Sequence, residues 1–239
     1  MTESQARDEI CRVGRSLFER GYVHATAGNI SVRLPESEGG VFLMTPTDAC
    51  LGFLEPQRLA RLDAQGVQIS GDKASKTLTL HRRIYEATAS EPGGGARCVI
   101  HTHSTHCVAL SLRDSATSAA SASAAPLTDA ASWIPPITPY FVMKVGRVPL
   151  IAYSRPGDPQ AAECVAQAIA AHAAAGHPIR AVMLERLGPN VWHASPAQAM
   201  ATLEELEETA RLLCLSPAGV TPLSEARIDE LRQSFGARW

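Results

Sequence analysis

Residues 97–104 read Arg-Cys-Val-Ile-His-Thr-His-Ser, and the fold turns on how this stretch is arranged. An apolar run of this length reads as a strand. Period-two alternation puts Val99, His101 and His103 on one face and Cys98, Ile100 and Thr102 on the other. The two imidazoles then project side by side, roughly 6–7 Å apart at their Cα atoms. The apolar residues ahead of them argue for a buried, rigid strand, which positions ligands well. Two histidines so placed suit one divalent metal, since imidazole is a common ligand of zinc and related ions. The competing reading is two histidines hydrogen-bonded at a strand end.

On the N-terminal side of this strand, residues 4–20 predict a helix, with Ile10, Val13, Gly14, Leu17 and Phe18 on one stripe and Gly21 at the C-terminal cap. Ala27–Arg33 is a turn entering a strand, and Val41–Met44 is a strand running into Thr45-Pro46-Thr47. A helix starts near Ser75 and turns Leu80, Ile84 and Ala87 inward. On the C-terminal side a helix covers about 105–112. Residues 114–132 are a Ser/Ala-rich stretch read as a surface insertion, and Pro135, Pro136 and Pro139 mark an extended segment. Val148–Tyr153 is a further strand, and Asp158 caps an alanine-rich helix ending near Gly176. Ala181–Leu187 is a strand that Gly188-Pro189 breaks, with Asn190–His193 returning as its partner. Ser195-Pro196 starts the last clear helix, with Met200, Leu203, Leu206, Ala210 and Leu213 inward and Glu204, Glu205, Glu207 and Glu208 in water.

The 239 residues suffice for one substantial core, and no linker or repeat divides them, so 1–239 is read as a single domain. Apolar content of 45% and charged content of 19% are ordinary for a soluble protein. With 22 basic and 24 acidic residues and no basic arm, nucleic acid is a poor partner, and no apolar run reaches the ~20 residues a membrane span needs. The polar N-terminus lacks a signal-peptide core, so a cytoplasmic protein is expected. Six scattered cysteines without a C-x-x-C pair read as reduced side chains. Neither a dinucleotide fingerprint nor a P-loop occurs. The turns Ala27-Gly28-Asn29 and Thr45-Pro46-Thr47, with Ser75 and Lys76, can offer small polar groups, backbone N–H groups and a cation to an anion. Each alone is ordinary turn chemistry.

Taken in order, TAGNIS (26–31), MTPT (44–47), SGDKASK (70–76) and VIHTHS (99–104), with PITPYFVMKVGRVPLI (136–151) and LEELEETARL (203–212), resemble the class II aldolase/adducin family. The branch they look most like includes 3-oxo-tetronate 4-phosphate decarboxylases. The resemblance implies an α/β fold, a three-layer α/β/α domain around a mixed, mostly antiparallel sheet. It implies a homotetramer with active sites near subunit interfaces, acting on a small phosphorylated sugar acid. The phosphate would be held by Thr26, Gly28 and Asn29, by Thr47, and by Ser75 with Lys76. A divalent metal, zinc before manganese or cobalt, would sit on His101 and His103, with Lys76 and Thr77 at the catalytic positions.

Three departures from the family pattern bear on mechanism. Thr77 stands where the family has a Glu that serves as acid/base and metal neighbour, and its hydroxyl does not ionise near neutral pH. Leu187, in Arg186-Leu187-Gly188-Pro189, stands where Asn-His-Gly-Pro supplies a third metal histidine. Glu185 shares a strand face with Leu187 but lies about 6.5 Å back along the chain. If Gly188-Pro189 forms a two-residue turn, His193 falls on the opposite face; His24 and His106 are near only in sequence. Asp48 follows Thr-Pro-Thr where Gly or Asn is usual, and a carboxylate there repels phosphate unless it points away or pairs with Lys76 or an arginine. Decarboxylation of a 3-oxo acid needs an electron sink at the carbonyl and no starting base, whereas retro-aldol cleavage needs one. Loss of the Glu therefore favours a decarboxylase. An aldolase or epimerase variant, or a degenerate binding protein of the adducin kind, are the alternatives.

Overall fold

The computed structural model describes residues 1–91, 95–118, 132–216 and 219–239. In chain order the elements are α1 (Glu3–Glu19), β1 (Asn29–Arg33), β2 (Phe42–Met44), β3 (Ala60–Leu62), β4 (Gln68–Ser70), α2 (Leu78–Thr88), β5 (Cys98–His101) and α3 (Thr105–Ser118). They continue with β6 (Leu150–Ile151), α4 (Pro159–Ala174), β7 (Ala181–Leu184), β8 (Gly188–His193), α5 (Pro196–Leu215) and α6 (Glu225–Phe235). The strands form one sheet in the order β4-β3-β2-β1-β5-β8-β7-β6. Every pairing is antiparallel except β6 with β7. The sheet is thus mixed and mostly antiparallel.

Strand alternation sorts the apolar side chains into two cores. Ile30, Val32, Leu43, Cys98, Ile100, Ala181, Met183 and Val191 face α1, α3 and α5. Phe42, Met44, Ala60, Leu62, Val99, Val182, Leu184 and Trp192 face α2 and α4. Helices cover both faces, so the sheet is the middle of three layers. Each large apolar side chain so buried contributes roughly 1.5–3 kcal/mol. The six cysteines are unpaired. Among the described residues no helix is long and apolar enough to cross a membrane.

Local signals set several boundaries. Thr2 and Gln5 close a capping box on α1. Asp158 and Ser195 accept N–H groups at the starts of α4 and α5, each followed by proline. Elsewhere the structure differs from the sequence reading. The helix expected near Ser75 begins at Leu78. The strand expected over Val148–Tyr153 pairs only at Leu150 and Ile151, where β7 lies alongside. Helix α3 runs to Ser118, into the segment read as an insertion from residue 114, and residues 119–131 of that segment lie outside the described residues.

Gly188 and Pro189 do not break a strand. They open β8, and the turn falls on Glu185–Leu187, where Arg186 takes φ +64° and the Leu187 N–H bonds the Leu184 carbonyl. Proline is tolerated there because it sits next to the strand's first residue. Glu207 is also not in water. Its carboxylate is buried and accepts the backbone N–H groups of His106 and Cys107 and faces His106 Nδ1 at 2.8 Å. Helix α3 starts at Thr105 with unpaired N–H donors, and a carboxylate from α5 meets them and the positive end of the helix dipole. Glu207→Ala should cost about 2–4 kcal/mol, and Glu207→Gln less, in urea unfolding. A loss no larger than a surface substitution would show that this cap contributes little.

Candidate active site

One end of the sheet opens as a cleft of about 200 Å³ between the N-terminal ends of α2 and α4. β2, β5, β6 and β7 end there, and β1 and β8 begin there. Its lining includes every residue assigned above to the phosphate, the metal pair or the catalytic positions: Thr26, Gly28, Asn29, Thr47, Ser75, Lys76, Thr77, His101 and His103. Its volume suits a small metabolite rather than a macromolecular segment.

Cross-strand register builds the floor. Asn29 pairs with His101, and His101 with Asn190, so three polar side chains stand in a row on the face under α2 and α4. The close approach of backbone here requires glycine twice. Gly28 has φ +85°, and a Cβ on it would lie 2.9 Å from the His101 carbonyl. A Cβ on Gly188, φ +131°, would lie 2.0 Å from the Thr102 carbonyl. The segment Thr45–Thr47 is laced to 73–75: Thr47 donates its N–H to the Lys73 carbonyl and Ser75 donates its N–H to the Thr45 carbonyl. That lacing brings Thr47, Ser75 and Lys76 together, and it occupies those two amides. At Thr47 and Ser75 the groups offered to an anion are therefore the hydroxyls. Helix α2 has no side-chain cap at Thr77; the Leu78 N–H bonds the Ser75 carbonyl, and Thr79 and Leu80 of the first turn line the cleft, so the positive end of the helix lies at its wall.

His101 is almost fully buried, and its Nδ1 donates to the Pro189 carbonyl at 2.9 Å. A carbonyl can only accept, so the hydrogen sits on Nδ1 and the Nε2 lone pair is left for a ligand, as in metal-binding histidines whose other ring nitrogen donates to a carbonyl or carboxylate. The rings of His101 and His103 lie edge to face with centroids 5.0 Å apart. The pair fits a divalent cation on two imidazoles. Among the described residues no group of three His, Cys, Asp or Glu side chains converges to hold a metal. Leu187 and Thr77 are both in the lining, where neither supplies an ionised donor. Glu185 also lines the cleft, but its Oε2 accepts the Tyr153 N–H. His106 is committed to Glu207. His193 pairs with Cys98 at the far end of β5, away from the cleft. His24 is close enough to His103 to help hold its imidazole below the ordinary range, after burial.

Asp48 lines the cleft with φ +57°. That left-handed backbone explains why Gly or Asn suits the position, and Asp is among the few other residues that tolerate it. Two further groups escaped sequence reasoning. Asn190 is fully buried and neither atom of its amide has a partner among the described residues. The segment Ser154–Asp158 forms the wall on the β6 side. A polar residue inside the apolar run Pro189–Trp192 was the available signal for the first.

Behind the cleft, proton counting fixes a second tautomer. Tyr85 donates its hydroxyl to the Ser31 carbonyl at 2.9 Å, so the Ser31 hydroxyl donates to Tyr85 at 2.8 Å. Ser31 Oγ must then accept from His81 Nδ1 at 2.7 Å. Burial pushes the pKa of His81 down to about 3, helped by His101. Burial likewise pushes His101 down to about 3, helped by His103 and opposed by its bond to Pro189. Both stay neutral in the folded protein while the unfolded chain takes up protons near pH 6.5. The stability they contribute is present above that value and is lost as pH falls from about 6.5 towards 3. Each histidine should steepen this decline by roughly 1.4 kcal/mol per pH unit. Urea unfolding between pH 6.5 and 4.5 should show a shallower slope for His81→Asn than for the wild type. Equal slopes would mean that His81 protonates freely in the fold.

The fold is shared with sugar-phosphate lyases and their relatives. Residues 8–214 match the family model described as the class II aldolase and adducin N-terminal domain. The chain belongs to the class II aldolase/adducin family. It is 46% identical to a 3-oxo-tetronate 4-phosphate decarboxylase of Cupriavidus necator, covering 100% of this chain and 99% of that one. It is 38% identical to the protein of the same name from Escherichia coli K12, with 96% of each covered. Among solved structures it is similar to YgbL of Escherichia coli, described as a putative aldolase/epimerase/decarboxylase, with TM-score 0.79 and 37% identity over 96% of this chain and 99% of that one. An L-fuculose 1-phosphate aldolase shares the fold at TM-score 0.74 and 19% identity, over 97% of this chain and 96% of that one.

Proposed function

We propose that this protein is a carbon–carbon lyase that decarboxylates a 3-oxo-tetronate 4-phosphate with a divalent cation, zinc before manganese or cobalt, on His101 and His103. The observation that carries the reading is the His101–His103 pair, with the His101 tautomer set by Pro189, in a cleft also lined by Thr26, Gly28, Asn29, Thr47, Ser75 and Lys76. Full-length similarity to curated decarboxylases supports the substrate class.

On this reading the phosphate rests on the Asn29 amide, the Thr47 and Ser75 hydroxyls and the Lys76 ammonium, near the N-terminal end of α2. The carbonyl then lies over the histidines. A bound cation supplies Lewis-acid stabilisation of charge at that oxygen. The bond to the carboxylate breaks, its electron pair passes to the carbonyl oxygen, and carbon dioxide and an enediolate result. Lys76, beside the Thr77 hydroxyl and the phosphate, stabilises the charge that develops on the neighbouring carbonyl oxygen, and the enediolate carbon takes its proton from solvent. Thr77 and Leu187 leave no ionisable group where a retro-aldol reaction would remove a hydroxyl proton, which favours decarboxylation over the aldolase alternative. The six unpaired cysteines suit a reducing, cytoplasmic setting. Exposed Phe53, Val67 and Ile69 offer apolar surface for assembly into the family's homotetramer, which light scattering would weigh directly.

The test is release of carbon dioxide from the 3-oxo acid phosphate by purified protein, with and without chelator. Replacing both His101 and His103 with Ala should abolish turnover and metal retention while the far-ultraviolet dichroism stays native. Retained turnover in that variant would sink the mechanism. Asn29→Ala should raise KM about tenfold through lost phosphate positioning. An unaltered KM would remove Asn29 from the phosphate site.

A further inference from the structure

The substrate proposed above carries an anion at each end, a phosphate and a carboxylate, with the reacting carbonyl between them. The cleft lining holds two fixed cations, Lys76 and Arg155. Lys76 belongs to the side built by β1, β2 and the start of α2. Arg155 belongs to the segment after β6, the strand at the opposite edge of the sheet. His101, the last residue of β5, and His103 just beyond it stand between these sides. We infer that Arg155 is the specificity-determining residue for the substrate's carboxylate, with Lys76 serving the phosphate end; this rests on the decarboxylase reading of the same cleft.

The chemistry of Arg155 suits the task. A guanidinium presents a planar fork that matches a carboxylate with two parallel hydrogen bonds. Among the described residues its side chain makes one ion pair, Nε to Asp158 Oδ2 at 3.5 Å, and Asp158 is already accepting the Gln160 N–H as the cap of α4. The side chain is 79% exposed, so the fork can swing to a ligand. Pro156 and Gly157, the latter at φ +81°, turn the chain between Arg155 and Asp158 and hold the arginine at the rim. Three carboxylates, Asp48, Asp158 and Glu185, also line the cleft. They oppose a substrate anion, Asp158 beside the guanidinium included, so a doubly anionic molecule depends on Lys76 and Arg155 for its counter-charge.

The kinetic signature follows from where charge moves. During decarboxylation the carboxylate loses its charge as it becomes carbon dioxide, so a cation paired with it favours the bound substrate at least as much as the transition state. Loss of Arg155 therefore falls on KM, with kcat largely kept.

The deciding experiment is calorimetric binding of two unreactive probes to the wild type, Arg155→Ala and Arg155→Lys. One probe is a tetronate 4-phosphate with a hydroxyl in place of the ketone. The other is the tetritol 4-phosphate, which has the same carbon chain and no carboxylate. Arg155→Ala should weaken the acid about tenfold and change the tetritol less than about twofold, and Arg155→Lys should recover part of the loss. Equal weakening of both probes, or none, would overturn the assignment. Because Arg155 is on an exposed turn, its variants should retain the wild-type melting temperature. The ratio between probes reads the residue without turnover, so absence of carbon dioxide release from the 3-oxo acid would count against the reaction alone.

Discussion

The cleft depends on one carbonyl. Pro189 accepts hydrogen bonds from the His101 ring and from the Thr102 backbone, and these two contacts seat the start of β8 against the end of β5. Gly188 permits the approach, since any side chain there would collide with Thr102. The ring bond fixes which nitrogen of His101 faces the ligand, and the strand bond fixes where the ring stands. Asn29, Leu187 and His103 take their places relative to that junction. A shift of β8 by one residue would turn Asn190 to the opposite face and carry the acceptor away from His101.

Much of this architecture was legible in the sequence where one local force acts. Alternation over 98–101 divided those side chains correctly between the two faces, because both are buried and a strand has one period; the strand ends at His101, and His103 lines the cleft from the segment beyond it. The Asp158-Pro159 and Ser195-Pro196 starts were legible because a capping oxygen and a preset backbone angle need no tertiary partner. Reading failed where a distant partner decides. Gly188-Pro189 looks like a break, yet β5 supplies the contact that keeps it extended. Glu207 sits in a run of glutamates that read as a solvent face, and only the start of α3 calls it inward. Nothing near Arg155 in the chain signals that the β6 edge closes over the same cleft as Asn29.

The departures from the family pattern acquire physical content in this setting. Asp48 reflects the needs of a left-handed backbone as much as those of a ligand. Leu187 joins the apolar core under α2 and α4 while keeping a place in the cleft wall, so the position offers a dry surface rather than a donor. Thr77 remains at the mouth of α2, one helical turn above His81. The cleft thus keeps its paired imidazoles and its cations while two positions in its wall are neutral.

The strand order also bears on how the protein comes into being. Asn29, His101 and Asn190 are neighbours across three adjacent strands, although long stretches of chain separate them in sequence. Contacts of such high sequence separation form slowly, because large loops must close before any pairing rewards them. A chain emerging from the ribosome can complete α1, the β1–β4 meander and α2 while its central strand still has an open edge. The floor of the cleft closes only when β8 arrives, so ligand recognition belongs to the nearly finished molecule and to no earlier fragment.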